Sequence, residues 1–157
     1  MTRLRGRCAK SKRLYAKAPH GHWRTTTMIS SVRMDGSSAC MAIEGATDAD
    51  VFHAYSKEVL CPTLRSGDIV IMDNLRAHKS AATIALIEQC GARVEFLPAY
   101  SPDLNPIEMM WSKLKAWLRD CQARTHESLI TAIAQGLQAI TSKDTAHWFA
   151  HCGYNFI

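Results

Sequence analysis

The segment Asp68-Ile-Val-Ile-Met-Asp73 constrains the fold more than any other part of the chain. A short apolar run bounded by Gly67 and Asn74 reads as a strand buried on both faces, the kind found in parallel sheets. A helical pattern over about 80–90 follows and stops at Gly91, and Arg93-Val-Glu-Phe-Leu97 reads as a second strand. Strand, helix and strand in that order imply a right-handed parallel crossover. Upstream, Thr25 to Met34 is β-rich, Asp35-Gly36 is a hairpin turn signal, and Ser38 to Ile43 reads as the returning strand. Asp48 can cap a helix over about 49–64, although Pro62 disturbs its last turn. Pro98 to Pro106 reads as a loop, and helices fill about 106–119, 126–140 and 143–150. The expected class is α/β: a mixed sheet with a hairpin, parallel central strands and flanking helices.

Bulk properties exclude several alternatives. An apolar fraction of 47% over 157 residues argues against disorder and suffices for a core. No apolar run reaches the roughly 18 residues that cross a bilayer, and no secretory h-region opens the chain, so a soluble, cytoplasmic protein without a membrane partner is expected. The six cysteines are scattered without a CxxC pair and read as reduced thiols, several of them buried. His147, His151 and Cys152 cluster, but no second pair stands at zinc-finger spacing, so they read as a helix end.

Charge is distributed unevenly. Residues 1–24 carry Arg3, Arg5, Arg7, Lys10, Lys12, Arg13, Lys17 and Arg24 and no acid. Against a net charge of +5, this leaves the remainder at −3. A basic arm on a mildly acidic body suggests a polyanionic partner; a solvated tail is the plainer alternative.

Two carboxylates carry the chemical argument. Asp73 falls at the carboxyl end of a strand, where sites gather in open α/β sheets, and a buried acid there needs a pair or a cation. It can equally be a turn aspartate, since Asp-Asn is turn chemistry. Glu108 follows Asn105 and Pro106, which suit the N-cap and first positions of a helix, so a capping box alone can explain it. Ile107, Met110, Trp111, Leu114 and Leu118 form that helix's apolar stripe. Glu108, Ser112, Lys115 and Arg119 share a different face, which suits either a metal-bound phosphodiester or ordinary solvent. Two such acids can converge on Mg²⁺ or Mn²⁺, which take oxygen ligands and activate a water or 3′-hydroxyl when paired across a phosphate. No Walker loop, nucleophile elbow or HExxH motif points to other chemistry.

Ile71-Met-Asp73-Asn74-Leu-Arg-Ala-His78-Lys79, followed by Leu97-Pro-Ala-Tyr-Ser-Pro-Asp-Leu-Asn-Pro-Ile-Glu108-Met-Met-Trp111, resembles the DDE transposases of the insertion sequence 630 and mariner superfamily. Thirty-four residues, 74–107, separate the two acids, a spacing many members of that family share. The resemblance implies a ribonuclease H-like fold and metal-dependent DNA cleavage and strand transfer at transposon ends. Asp73 and Glu108 would be catalytic metal ligands for Mg²⁺ or Mn²⁺. Asn74, His78 and Asn105 match positions near the site. Arg3, Arg5, Arg7, Lys10, Lys12, Arg13, Lys115 and Arg119 are the candidate DNA contacts. Partners would be transposon-end and target DNA and a second copy of the chain, with no small-molecule substrate and a nucleoid-associated, bacterial setting.

The family's first aspartate lies on a strand upstream of the hairpin, and no acid precedes Asp35 here. The expected organisation is therefore a basic segment, 1–24, and a partial catalytic domain, 25–157, that lacks its first strand and is inactive alone. A non-catalytic DNA-binding or dimerising remnant of a transposase, and another ribonuclease H-like nuclease, are the alternatives.

Overall fold

The computed structural model describes residues 5–15 and 25–154. Strand β1, Thr26–Val32, pairs antiparallel with β2, Ser38–Glu44, with Ile29 opposite Met41. The turn forms as the sequence predicts. Asp35 Oδ1 accepts from Ser37 N at 2.8 Å, and Gly36 adopts φ +91°, open to glycine at little cost. A Cβ at Gly36 would lie 2.9 Å from Ser142 N, so the turn packs directly on the start of the last helix.

Asp48 caps α1, Ala49–Tyr55, by accepting from Val51 N at 2.9 Å. The expected helix over 49–64 does not continue as one. The chain widens into a π-helical turn, Ser56–Leu60, and tightens into a 3₁₀ turn, Cys61–Thr63. Pro62 has no N–H and its ring crowds the carbonyl four residues back, so regular α-helical bonding cannot pass through it. Cys61 N instead donates to Ser56 O, five residues back.

Strand β3, Ile69–Met72, pairs in parallel with β4, Arg93–Phe96, around α2, Ala81–Gln89. A 3₁₀ turn, Arg76–Lys79, precedes α2 and was not anticipated from the sequence. Helices α3, Pro106–Cys121, α4, His126–Gln138, and α5, Ser142–His151, complete the chain. Thr125 with Ser128, and Thr141 with Asp144, close reciprocal capping boxes on α4 and α5. Asp144 Oδ2 also accepts from Lys113 Nζ at 2.6 Å, and these bonds hold its carboxyl well below the usual carboxylate range.

Two expectations need correction. The strands do not form one mixed sheet: among the described residues, β1–β2 and β3–β4 are separate two-stranded sheets. Nor is β3 buried on both faces, for Ile69 is 52% exposed. No described strand bridges the second edges of β1 and β3, and no described element packs over Ile69 to bury that face of β3. Of the cysteines, all free, only Cys152 is buried.

Packing explains why the hairpin nevertheless stays in place. Ile29 and Met41 lie against the core of Phe52, Tyr55, Leu60, Met72 and Ile87. Met28 and Val32, on the opposite face of β1, pack toward the cores of α3, α4 and α5, built on Leu114, Leu118, Ile133, Met110 and Trp148. Tyr55 donates its hydroxyl to Ala39 O at 2.9 Å, and burial pushes that phenol up to about 12. Thr145 Oγ1 donates to Met34 O at 2.6 Å, fastening the hairpin to α5.

The most direct link between the two sheets is ionic. Both Arg33 guanidinium nitrogens reach the two Asp68 carboxylate oxygens at 2.7 Å, and Arg65 N adds a bond at 2.8 Å. The Arg33 hydrogen bonds lower the Asp68 pKa below its ordinary value. A depressed carboxylate contributes stability above its unfolded pKa of about 3.9 and loses it as pH falls through the folded value. Asp68→Asn is therefore expected to lower stability at pH 7 by about 1–3 kcal/mol, roughly 2–9 °C in Tm for a chain of this size. The gap between variant and parent should narrow as pH falls below the unfolded value and close once pH passes the depressed folded value, a pattern thermal unfolding across pH will show or refute.

Candidate functional site

Asp73 follows the last residue of β3 and its side chain is 45% exposed. Its Oδ1 accepts from Leu75 N at 3.1 Å, so the turn chemistry legible in Asp-Asn is present. The second oxygen, Oδ2, makes no hydrogen bond among the described residues. His78, from the 3₁₀ turn, places Nδ1 2.7 Å from Asp73 Oδ1. The ring nitrogen does not point along that line, and it is buried without a hydrogen-bond partner among the described residues. The imidazole is held by Phe52, with ring centroids 4.2 Å apart.

Asn74 carries the connection to the second acid. Its Nδ2 donates to Leu97 O, while Leu97 N donates to Met72 O at 2.8 Å and extends the parallel ladder. The residue beside Asp73 is thus clasped to the point where β4 ends and the loop toward Glu108 begins. That loop runs through a 3₁₀ turn, Pro102–Leu104, whose Leu104 O accepts from the Tyr154 hydroxyl at 2.9 Å. Asn105 and Pro106 then open α3 as the sequence predicts.

The capping box does not form. Asn105 makes no side-chain cap bond, and Glu108 N bonds Asn105 O at 3.1 Å instead. The Glu108 side chain is exposed, with no hydrogen bond or ion pair among the described residues. The structural explanation for Glu108 therefore falls away. On the same helix Ser112 and Lys115 are exposed and Arg119 half-buried, whereas Met110, Leu114 and Leu118 are buried, the division that the periodicity indicated.

Of the candidate DNA contacts, Arg3 lies outside the described residues. Arg5, Arg7, Lys10, Lys12 and Arg13 are exposed, and Arg13 lies 5.5 Å from the Tyr15 ring centre. No hydrogen bond or ion pair joins these five to Asp73, Glu108 or α3. Two cations that the sequence reading passed over, Arg76 and Lys79, stand exposed on the turn directly after Asp73. Their signal was the run Arg-Ala-His-Lys itself. His147, His151 and Cys152 form no metal cluster, and among the described residues no group of three or more His, Cys, Asp or Glu could hold an ion. No described helix is long and apolar enough to cross a membrane.

The family model described as DDE superfamily endonuclease matches residues 1–130, which include both acids and the loop between them. The chain belongs to the DDE superfamily endonucleases. No curated protein matches it. Within this DDE endonuclease domain, Glu108 is expected to be dispensable for folding. Glu108→Ala should change stability by less than about 0.5 kcal/mol. Asn74→Ala, which leaves a carbonyl at the end of β4 without its partner, should cost about 1–2 kcal/mol. Chemical denaturation of both variants checks the pair, and the reverse order would contradict it.

Proposed function

We propose that this DDE endonuclease domain is a ribonuclease H-like transposase catalytic domain of the insertion sequence 630 and mariner type, cleaving and joining DNA strands at transposon ends. The observation that carries this reading is the Asn74 to Leu97 bond, which links the segment bearing Asp73 to the loop presenting Glu108 within the matched region. Asp73 and Glu108 are the proposed ligands for Mg²⁺ or Mn²⁺. The donor chemistry fits: both are oxygen ligands with free carboxylate oxygens, and Mg²⁺ is commonly held by one or two carboxylates plus substrate phosphates. When bound, the metal would polarise the phosphate and sharpen the attacking oxygen.

This chain's own groups have separate tasks in that scheme. Asn74 fixes the strand end against the loop, and Asn105 with Pro106 starts the helix that carries Glu108. His78, packed on Phe52, can hold a proton beside Asp73. Lys115 and Arg119, with Arg76 and Lys79, offer cations to a phosphodiester backbone. The basic segment, 1–24, is the proposed non-specific grip on duplex DNA, and 25–157 the catalytic domain.

A specific observation favours a second reading. Among the described residues no group of three or more His, Cys, Asp or Glu assembles that could hold an ion. Among the described residues the second edges of β1 and β3 are unpaired, and such edges invite pairing with a second copy of the chain. A DNA-binding or dimerising remnant without catalysis is the corresponding alternative.

Calorimetric titration of Mg²⁺ or Mn²⁺ separates the two. Catalytic ancestry with a working site predicts binding that Asp73→Asn and Glu108→Gln each weaken by more than roughly tenfold, the scale for losing even a supporting residue. Equal, feeble binding in all three proteins would leave the non-catalytic reading.

The arm has its own test. If it grips phosphates, log K should fall with log salt at about −0.9 per phosphate neutralised, and replacing Arg3, Arg5 and Arg7 by Ala should flatten the slope by up to about 3 units. An unchanged slope would remove the arm from the interface.

A further inference from the structure

Tyr100 is the most exposed large apolar side chain among the described residues, at 102% of its reference area. It touches no core cluster, and its hydroxyl makes no hydrogen bond among the described residues. Its backbone stands at φ +58°, in the left-handed region that a residue with a Cβ seldom occupies. Folding therefore gains nothing from an aromatic ring here and meets a backbone cost that glycine would avoid.

The surroundings point to a use. Tyr100 lies three residues past Leu97, whose carbonyl Asn74 clasps beside Asp73, and two residues before the turn that Tyr154 anchors through Leu104. The ring is thus carried on a short loop fixed at both stems, between the two candidate acids in sequence. Across the Asn74 clasp, Leu75 is 58% exposed, and Arg76 and Lys79 are exposed beside it. Lys79 rests 5.9 Å from the Phe96 ring centre, at the end of β4. The aromatic on one side of the clasp, and the aliphatic and two exposed cations on the other, are the kinds of group that unpaired nucleic acid engages: rings accept base faces and cations take the phosphates.

We propose that Tyr100 is a positioning residue that stacks on an unpaired base of the DNA strand next to the site, holding the strand end splayed while its phosphate lies by Asp73 and Glu108. This rests on the DNA-processing function proposed above. The left-handed backbone turns the loop sharply enough to present the ring without burying it. Any of the four bases serves, because every base offers a π face, so Tyr100 contributes recognition of strand opening and not of sequence.

The test uses the full chain with two DNA probes of arbitrary sequence: a blunt duplex, and a forked duplex with 2-aminopurine in its unpaired arm. Wild type and Tyr100→Phe should bind the fork about tenfold more tightly than Tyr100→Ala, the scale of one base–aromatic stack. They should also quench the 2-aminopurine fluorescence, and Tyr100→Ala should not. All three should bind the blunt duplex equally. Tyr100→Gly should melt higher than wild type, because it relieves the backbone, and yet lose the quenching. If Tyr100→Ala binds and quenches the fork like wild type while the blunt duplex is held, the stacking role is overturned and DNA binding stands. If wild type binds neither probe, the DNA-processing function falls and the stacking role with it.

Discussion

The fork of Arg33 on Asp68 is the contact on which the arrangement of this domain turns. It spans 35 positions of sequence and joins two sheets that share no backbone ladder. Asp68 stands just before β3, and Arg33 just after β1, so the pair sets where one begins relative to where the other ends. Planar guanidinium against carboxylate has one geometry, which a lysine would not enforce. From that fixed start β3 runs four residues to Met72 and delivers Asp73 at its far end. The position of the candidate site is therefore inherited from an ion pair at the opposite end of the strand.

Much of the element order was legible because each signal was local. Asp35-Gly36 turns as such dipeptides do, Asp48 caps α1, and Gly91, at φ +80°, follows α2. Asn105-Pro106 starts α3, and its apolar stripe is the buried one. What was not legible depended on partners. An apolar run such as Ile69–Met72 looks the same whether both faces of its strand are covered or one, and only what packs on each face decides how exposed Ile69 becomes. The π turn at Ser56–Leu60 was hidden for a related reason. Pro62 announces that a helix must change, but not that the chain will widen upstream before it tightens.

The site divides along the same line. Asp73, Glu108, Asn74 and His78 were candidates from spacing and motif, and the match over residues 1–130 supports the broader DDE endonuclease superfamily. Their contacts could not be. Sequence offered a capping role for Glu108, and the geometry withholds it, leaving an unengaged carboxylate at a helix start. Sequence offered His78 no particular role, and the geometry presses it against Phe52 and close to Asp73. Tyr100 is illegible in the other direction: nothing in its neighbours announces that an aromatic residue between two prolines will stand wholly outside the fold.

Strand β1 has a consequence for how the molecule comes apart. Its alternate residues enter different cores, Ile29 on one side and Met28 and Val32 on the other. Neither core can lose its share of β1 without exposing the other face of the same backbone. Local opening on one side is therefore charged to both, and β1 acts as a common wall between compartments. Native-state amide exchange in such a chain reports one cooperative unit through the hairpin, with independent fraying confined to segments that touch a single core, such as the end of α5.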